Sequence, residues 1–188
     1  MRQGPASGNG LRTRRRTLLL LLLTAQAPAK RNLDSLFAAL KAAPTEDAAA
    51  AIEAQIRAQW AEAATPAVRL LLSRGARELA ESAPNDALDS FDAALDLSPD
   101  LLDAWRGRAQ ARRALGDYLG AVRDIQELLK REPRSFVAFQ DLSRIAEARG
   151  DWKGALVAWQ KVLELSPRTP NGQERLRDLR RRALGEEL

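Results

Sequence analysis

The side-chain chemistry open to this chain is narrow. Its 188 residues contain no cysteine and no histidine. That removes thiolate and imidazole metal ligands, cysteine nucleophiles, disulfides and imidazole acid–base catalysis. Catalysis would have to use Asp, Glu, Lys, Ser, Thr or the single tyrosine, Tyr118. No pair of carboxylates stands apart from ordinary helix surface, and no glycine loop of the phosphate-cradling kind is present. The chain is therefore expected to be no enzyme and to hold no metal or cofactor. Recognition remains. Arg106, Gln110 and Arg113 are spaced by four and then three residues, which places them along one side of a helix. Guanidinium forks bind carboxylates through two hydrogen bonds, so an acidic segment or a chain terminus is the expected ligand. The alternative is that these arginines sit in solvent, paired with Asp103 or Glu147.

Charge narrows the partner class. The formal net charge is +5, but residues 1–29 hold five arginines (Arg2, Arg12, Arg14, Arg15, Arg16) and no acid. From Lys30 onward the two signs balance, twenty-five residues each. A neutral domain has no general electrostatic claim on a phosphate backbone, so no nucleic-acid partner is expected.

The basic segment is followed by six leucines, Leu18 to Leu23, and then by Thr24-Ala25-Gln26-Ala27-Pro28-Ala29. A basic stretch, a short apolar run and small residues two apart are the marks of a secretory signal peptide. The run is far short of the ~20 apolar residues a membrane span needs. Cleavage is expected after Ala29, or after Ala27, which would leave no stable membrane span and a periplasmic or secreted product. With no cysteine after the cut, a bacterial lipid anchor is excluded. Thr13-Arg14-Arg15 is similar to a twin-arginine motif but lacks its usual downstream residues, so the export route stays open. The alternative is a cytoplasmic protein that keeps a disordered basic tail.

The elements that must position Arg106 and its neighbours follow from a period of 34 residues. Pro99, Pro133 and Pro167 share it. So do Ala87, Ala121 and Ala155, and so do Phe91, Ile125 and Trp159. Trp105 and Phe139 match, as do Gly116 and Gly150, and Tyr118 and Trp152. Several residue classes in one register define a repeat, and the physics of each class is plain. Glycine at 116 and 150 takes the left-handed conformation that ends a helix. The Asp after it can cap the next helix. The alanines let two helices approach closely, and the large residue four positions on faces the same core. Each proline stops its unit.

This register resembles the tetratricopeptide repeat (TPR), a family known by this period and built from pairs of antiparallel helices. The resemblance covers roughly residues 68–169. The first unit departs most: it has Leu71 where the family prefers Trp, and Ser82-Ala83-Pro84 where the others have Gly-Asp-aromatic. The resemblance implies an all-α solenoid that works by binding protein. In the family the first helix of each unit lines a concave groove. Carried onto this register, the groove positions are Arg69, Leu72, Ala76 and Leu79, then Asp103, Arg106, Gln110 and Arg113, then Val137, Gln140, Arg144 and Glu147. Binding is expected at Asp103, Arg106, Gln110, Arg113, Gln140, Arg144 and Glu147. The carboxylate clamp of chaperone-binding members needs Lys and Asn where Leu72 and Ala76 stand, which argues against a chaperone-tail receptor.

The flanks complete the organisation. Leu33, Leu36, Phe37 and Leu40 have the spacing of an amphipathic helix. Ala43-Pro44-Thr45 breaks it, and a second helix runs through Ile52, Ile56 and Trp60 to Thr65-Pro66. This pair, residues 30–66, reads either as a degenerate repeat capping the N-terminal end or as an unrelated hairpin. Three repeat units then occupy 67–169, and residues 170–188 form a charged helix with a polar outer face that caps the stack. The whole reads as a non-catalytic interaction module or scaffold of the bacterial cell envelope, binding a peptide or partner helix. A cytoplasmic adaptor or an accessory subunit of an envelope enzyme is the alternative.

Overall fold

The computed structural model describes Met1 and residues 28–185, with side chains from residue 32 onward. Residues 2–27 of the proposed leader lie outside the described residues. Among those described, nine helices and no strand are present: α1 (Pro28–Lys41), α2 (Glu46–Ala61), α3 (Pro66–Ala80), α4 (Pro84–Leu97), α5 (Leu102–Ala114), α6 (Tyr118–Arg131), α7 (Phe136–Ala148), α8 (Trp152–Leu165) and α9 (Gly172–Leu184). No described helix is long and apolar enough to cross a membrane.

The helix boundaries sit where local chemistry places them. Gly116 and Gly150 have φ of +80° and +72°. The next residue caps the following helix in each case: Asp117 accepts from the Gly120 amide at 2.8 Å, and Asp151 from the Gly154 amide at 2.8 Å. Thr45, Thr65 and Ser135 cap α2, α3 and α7 in the same way. In the first unit Ser82 occupies the register of Gly116 and takes φ +61° without being glycine. That conformation costs a side chain roughly 1 kcal/mol.

The repeat residues form the core. Ala87, Ala121 and Ala155 are fully buried, and Phe91, Ile125 and Trp159 are buried one turn later. Helices pair as α3–α4, α5–α6 and α7–α8, and each pair packs on the next. The first helices of successive units touch one another (α3 with α5, α5 with α7), while α4 and α6, and α6 and α8, do not. The first helices thus converge on the concave side and the second helices splay on the convex side. At the far end α9 stacks on α8, burying Leu179 beside Trp159 and Val162.

The N-terminal hairpin lies elsewhere than a stacked repeat would. A capping repeat would pack α2 on α3. Instead α1 packs on α8 and α2 on α5, and α2 makes no packing contact with α3. Phe37, Leu40, Ile56 and Trp60 form one core with Phe136 and Val137 at the start of α7. The physical reason is aromatic: the Trp60 ring lies 5.8 Å from Phe136 and 6.2 Å from Phe37. Polar contacts pin the same arrangement. The Ser166 hydroxyl donates to buried Glu53 at 2.8 Å. Arg134 donates to Asp34 at 2.7 Å while its guanidinium covers Phe37. The hairpin therefore runs across the edge of the second and third units, over the starts of α5 and α7.

Candidate functional site

On the concave side a cleft of about 750 Å³ opens between α3 and α5. Its lining is set by what the two helices lack. Gly75 on α3 and Gly107 on α5 make room for the Phe91 ring, which is wedged between them and only 3% exposed. A Cβ on Gly75 would lie 2.8 Å from the ring, and one on Gly107 only 2.2 Å from it. The edge of that ring, contributed by α4, reaches the bottom of the cleft. Leu70, Leu72 and Ala76 form the α3 wall, and Asp103, Arg106 and Gln110 the α5 wall. Leu72 and Ala76, two of the groove positions, make this end of the groove apolar.

Of the seven residues singled out in the sequence, three line this cleft: Asp103, Arg106 and Gln110. Arg113 has no side-chain partner among the described residues, while Arg106 and Arg144 are paired, though neither Asp103 nor Glu147 is their partner. Asp141, buried on α7, gathers them. It accepts from Arg106 Nε at 2.7 Å, from Arg144 Nη1 at 2.9 Å and from the Gln110 amide at 3.3 Å. Asp141 lies one turn beyond Val137 on the inner face of α7, a position the groove register passes over. The spacing of 35 residues from Arg106 was the available signal. Arg69, at the mouth, donates to the Ala64 carbonyl at 2.6 Å.

The other four are dispersed. Arg144 is exposed beside Asp141. Arg113 and Gln140 are half-buried, make no side-chain hydrogen bond among the described residues and do not line the cleft. Glu147 turns the other way. It bonds to Arg175 of α9 and accepts from Ser143, so it belongs to the seam between α7 and α9. Val137 is buried under the hairpin, which closes that stretch of the groove.

Asp103 is the cleft's unspent charge. Its carboxylate makes no ion pair or hydrogen bond among the described residues. Burial pushes its carboxyl above the ordinary value, opposed by the more distant charges of Arg106 and Arg57. The cleft therefore offers one unsatisfied carboxylate, a guanidinium shared with Asp141, and an apolar floor. A ligand that fills it would place a non-polar side chain on Phe91 and polar groups along α5.

A curated relative matches over most of the chain. A TPR repeat-containing protein of Rhizobium etli is 30% identical over 161 residues, covering 86% of this chain and 79% of the relative. No protein-family model matches the sequence. Solved structures share the fold. The first TPR domain of Spaghetti (RPAP3), bound to the HSP90 peptide SRMEEVD, superposes with a TM-score of 0.58 at 20% identity, covering 65% of this chain and 97% of that one. The Sgt2 TPR domain from Aspergillus fumigatus gives 0.59 at 24% identity, covering 66% and 87%. With the 34-residue register, the helix pairs it folds into and this relative in agreement, the chain belongs to the tetratricopeptide repeat family.

Proposed function

We propose that this protein is a non-catalytic interaction module of the bacterial cell envelope, which holds an extended segment of a partner protein in the cleft between α3 and α5. The observation that carries this reading is the cleft itself: about 750 Å³, with the edge of the Phe91 ring at its bottom and walled by Leu72 and Ala76 opposite Asp103, Arg106 and Gln110. Such a concave, largely apolar space with a few placed polar groups suits a peptide side chain. The neighbour that holds the HSP90 peptide supports binding as the mode of action. The envelope assignment rests on the basic and leucine-rich segment of residues 2–23. A cytoplasmic adaptor, or an accessory subunit of an envelope enzyme, is the second reading.

The test has two arms. Peptides selected from a displayed library against the purified protein are expected to bind wild type and to lose binding to Ala76→Arg, whose side chain would fill the cleft. Circular dichroism melts of the two proteins should coincide. Binders indifferent to Ala76→Arg would overturn the cleft assignment. Separately, fractionation and N-terminal sequencing of the protein from its own host should find a chain starting near Lys30 in the envelope. An intact Met1 in the cytosol would favour the adaptor.

A further inference from the structure

The convex side carries a second opening, between the splayed helices α6 and α8. Two such gaps exist in the stack, and their contents differ. In the gap between α4 and α6, Arg108 from α5 bridges Asp92 on α4 at 2.7 Å and Asp124 on α6 at 2.8 Å. Arg112 adds a third bond to Asp124 at 2.8 Å. This ion-pair lattice fills the space. One repeat later, 34 residues on, Arg108 becomes Leu142, Arg112 becomes Ala146 and Asp124 becomes Ala158. The second gap therefore has no lattice and stands open as an apolar cleft of about 470 Å³, lined by Val122, Phe139, Leu142, Ala146 and Val157. Val157 is 59% exposed at its lip. Arg149, Lys153 and Lys161 rim it, against one acid, Asp151, which is occupied in capping α8. Lys161 is paired with Glu164, while Arg149 and Lys153 make no ion pair among the described residues.

At the other end of the stack the complement is present. The outer face of α4 carries Asp86, Asp89 and Asp96, all exposed, and ends in Leu97, which is 61% exposed. Asp86 and Asp89 feel the charge of Arg74, which is already bonded to Glu78. An apolar cleft with a cationic rim and an anionic helix tipped by a bare leucine lie on one chain. They sit in its first and last units, so one copy cannot join them itself.

We propose that the cleft between α6 and α8 docks the α4 face of a second copy of this chain, with Leu97 against Val157 and the Asp86–Asp96 stripe along Lys153 and Lys161. The contact joins two different surfaces, so it is heterologous and can extend head to tail. It is independent of the concave cleft.

Sedimentation velocity of the full chain tests it. Wild type should associate as its concentration rises from about 10 to 200 μM, and less so at 0.5 M salt, where charges more than ~5 Å apart are screened. Lys153→Glu/Lys161→Glu and Asp89→Lys/Asp96→Lys should each be monomeric alone. Mixed one to one, they should associate again and extend, because the two intact surfaces pair and the two reversed ones, Glu against Lys, are also complementary. All four positions are exposed, so melts should be unchanged. As a check that does not depend on charge, Leu97→Cys mixed with Val157→Cys under mild oxidation should give the mixed disulfide well above its statistical share, which is already twice either homodimer; the chain has no other cysteine. A wild type that stays monomeric throughout, single variants that associate like wild type, or random disulfide pairing would each overturn the proposal.

Discussion

Gly107→Ala tests whether the cleft floor is built as described. An ideal Cβ at this position lies 2.2 Å from Phe91 Cε1 and 2.5 Å from Cδ1 and Cζ. Carbon atoms pack best at about 3.5–4.0 Å, so the ring must retreat by roughly an ångström or more. It has little room: Phe91 is buried, and Gly75 on its far side leaves a gap too narrow even for a methyl group. Overpacking of this kind costs about 1–3 kcal/mol. Alanine recovers about 1 kcal/mol over glycine in a helix interior. The net expectation is a loss of about 1 kcal/mol in urea unfolding followed by helical circular dichroism. In a Phe91→Leu background the methyl group should fit, so the same substitution should become neutral or stabilising. The double-mutant cycle should then return a coupling of roughly 1–2 kcal/mol. The reasoning fails if Gly107→Ala alone raises stability by about 1 kcal/mol, as an open helix glycine would, or if the two sites show no coupling.

Three further substitutions separate the parts of the argument. Ser82→Gly should stabilise the protein by about 0.5–1 kcal/mol, because it relieves a left-handed conformation at the turn before α4; an unchanged urea midpoint would contradict the strain. Asp103→Asn should raise the melting temperature at pH 7. The folded carboxyl titrates above its unfolded value, so its burial weakens the fold above that pKa and ceases to do so once pH falls below ~3.9. The advantage of the variant should therefore vanish in acid; one that persists there would point to another cause. Asp141→Asn should cost about 1–3 kcal/mol, discounted for the partial exposure of Arg106 and Arg144. It should also strengthen binding of acidic peptides by freeing Arg106, and equal affinity in the two proteins would refute that role.

The solenoid was legible because its core residues repeat by type. Alanine at 87, 121 and 155, the bulky residue four later and the terminating proline each answer a local steric need, and the structure buries or places all of them as expected. The caps were legible for the same reason, since Asp117 and Asp151 act within three residues of themselves. What the sequence hid is long-range. Asp141 meets Arg106 across two helices, and nothing local at 141 marks it as their hub. Gly107 breaks the repeat register, and its meaning depends on a ring sixteen residues away. The hairpin was legible as two helices, but its docking surface was not. Trp60 and Phe37 announce only that they want burial, and the choice between α3 and α7 is made by the shape of an assembled stack.

These hidden features change what the groove can recognise. A run of arginines on α5 suggested a surface for acidic ligands. In the folded protein Asp141 takes Arg106, Asp124 takes Arg108 and Arg112 on the other side of α5, and the hairpin buries Val137 and narrows the groove toward the third unit. The open remainder is the apolar α3–α5 end, where the Asp103 carboxylate has no bonded partner among the described residues. In the proposed binding mode, recognition there turns less on counting charges than on what can lie against Phe91 while leaving Asp103 solvated or paired. A ligand with an apolar side chain and a neighbouring donor, such as a backbone amide, a hydroxyl or an amine, satisfies both demands. A bare carboxylate satisfies neither unless Arg106 leaves Asp141, and that exchange would itself cost a buried ion pair. The same residue, Asp141, thus both stabilises the stack and sets the groove's preference.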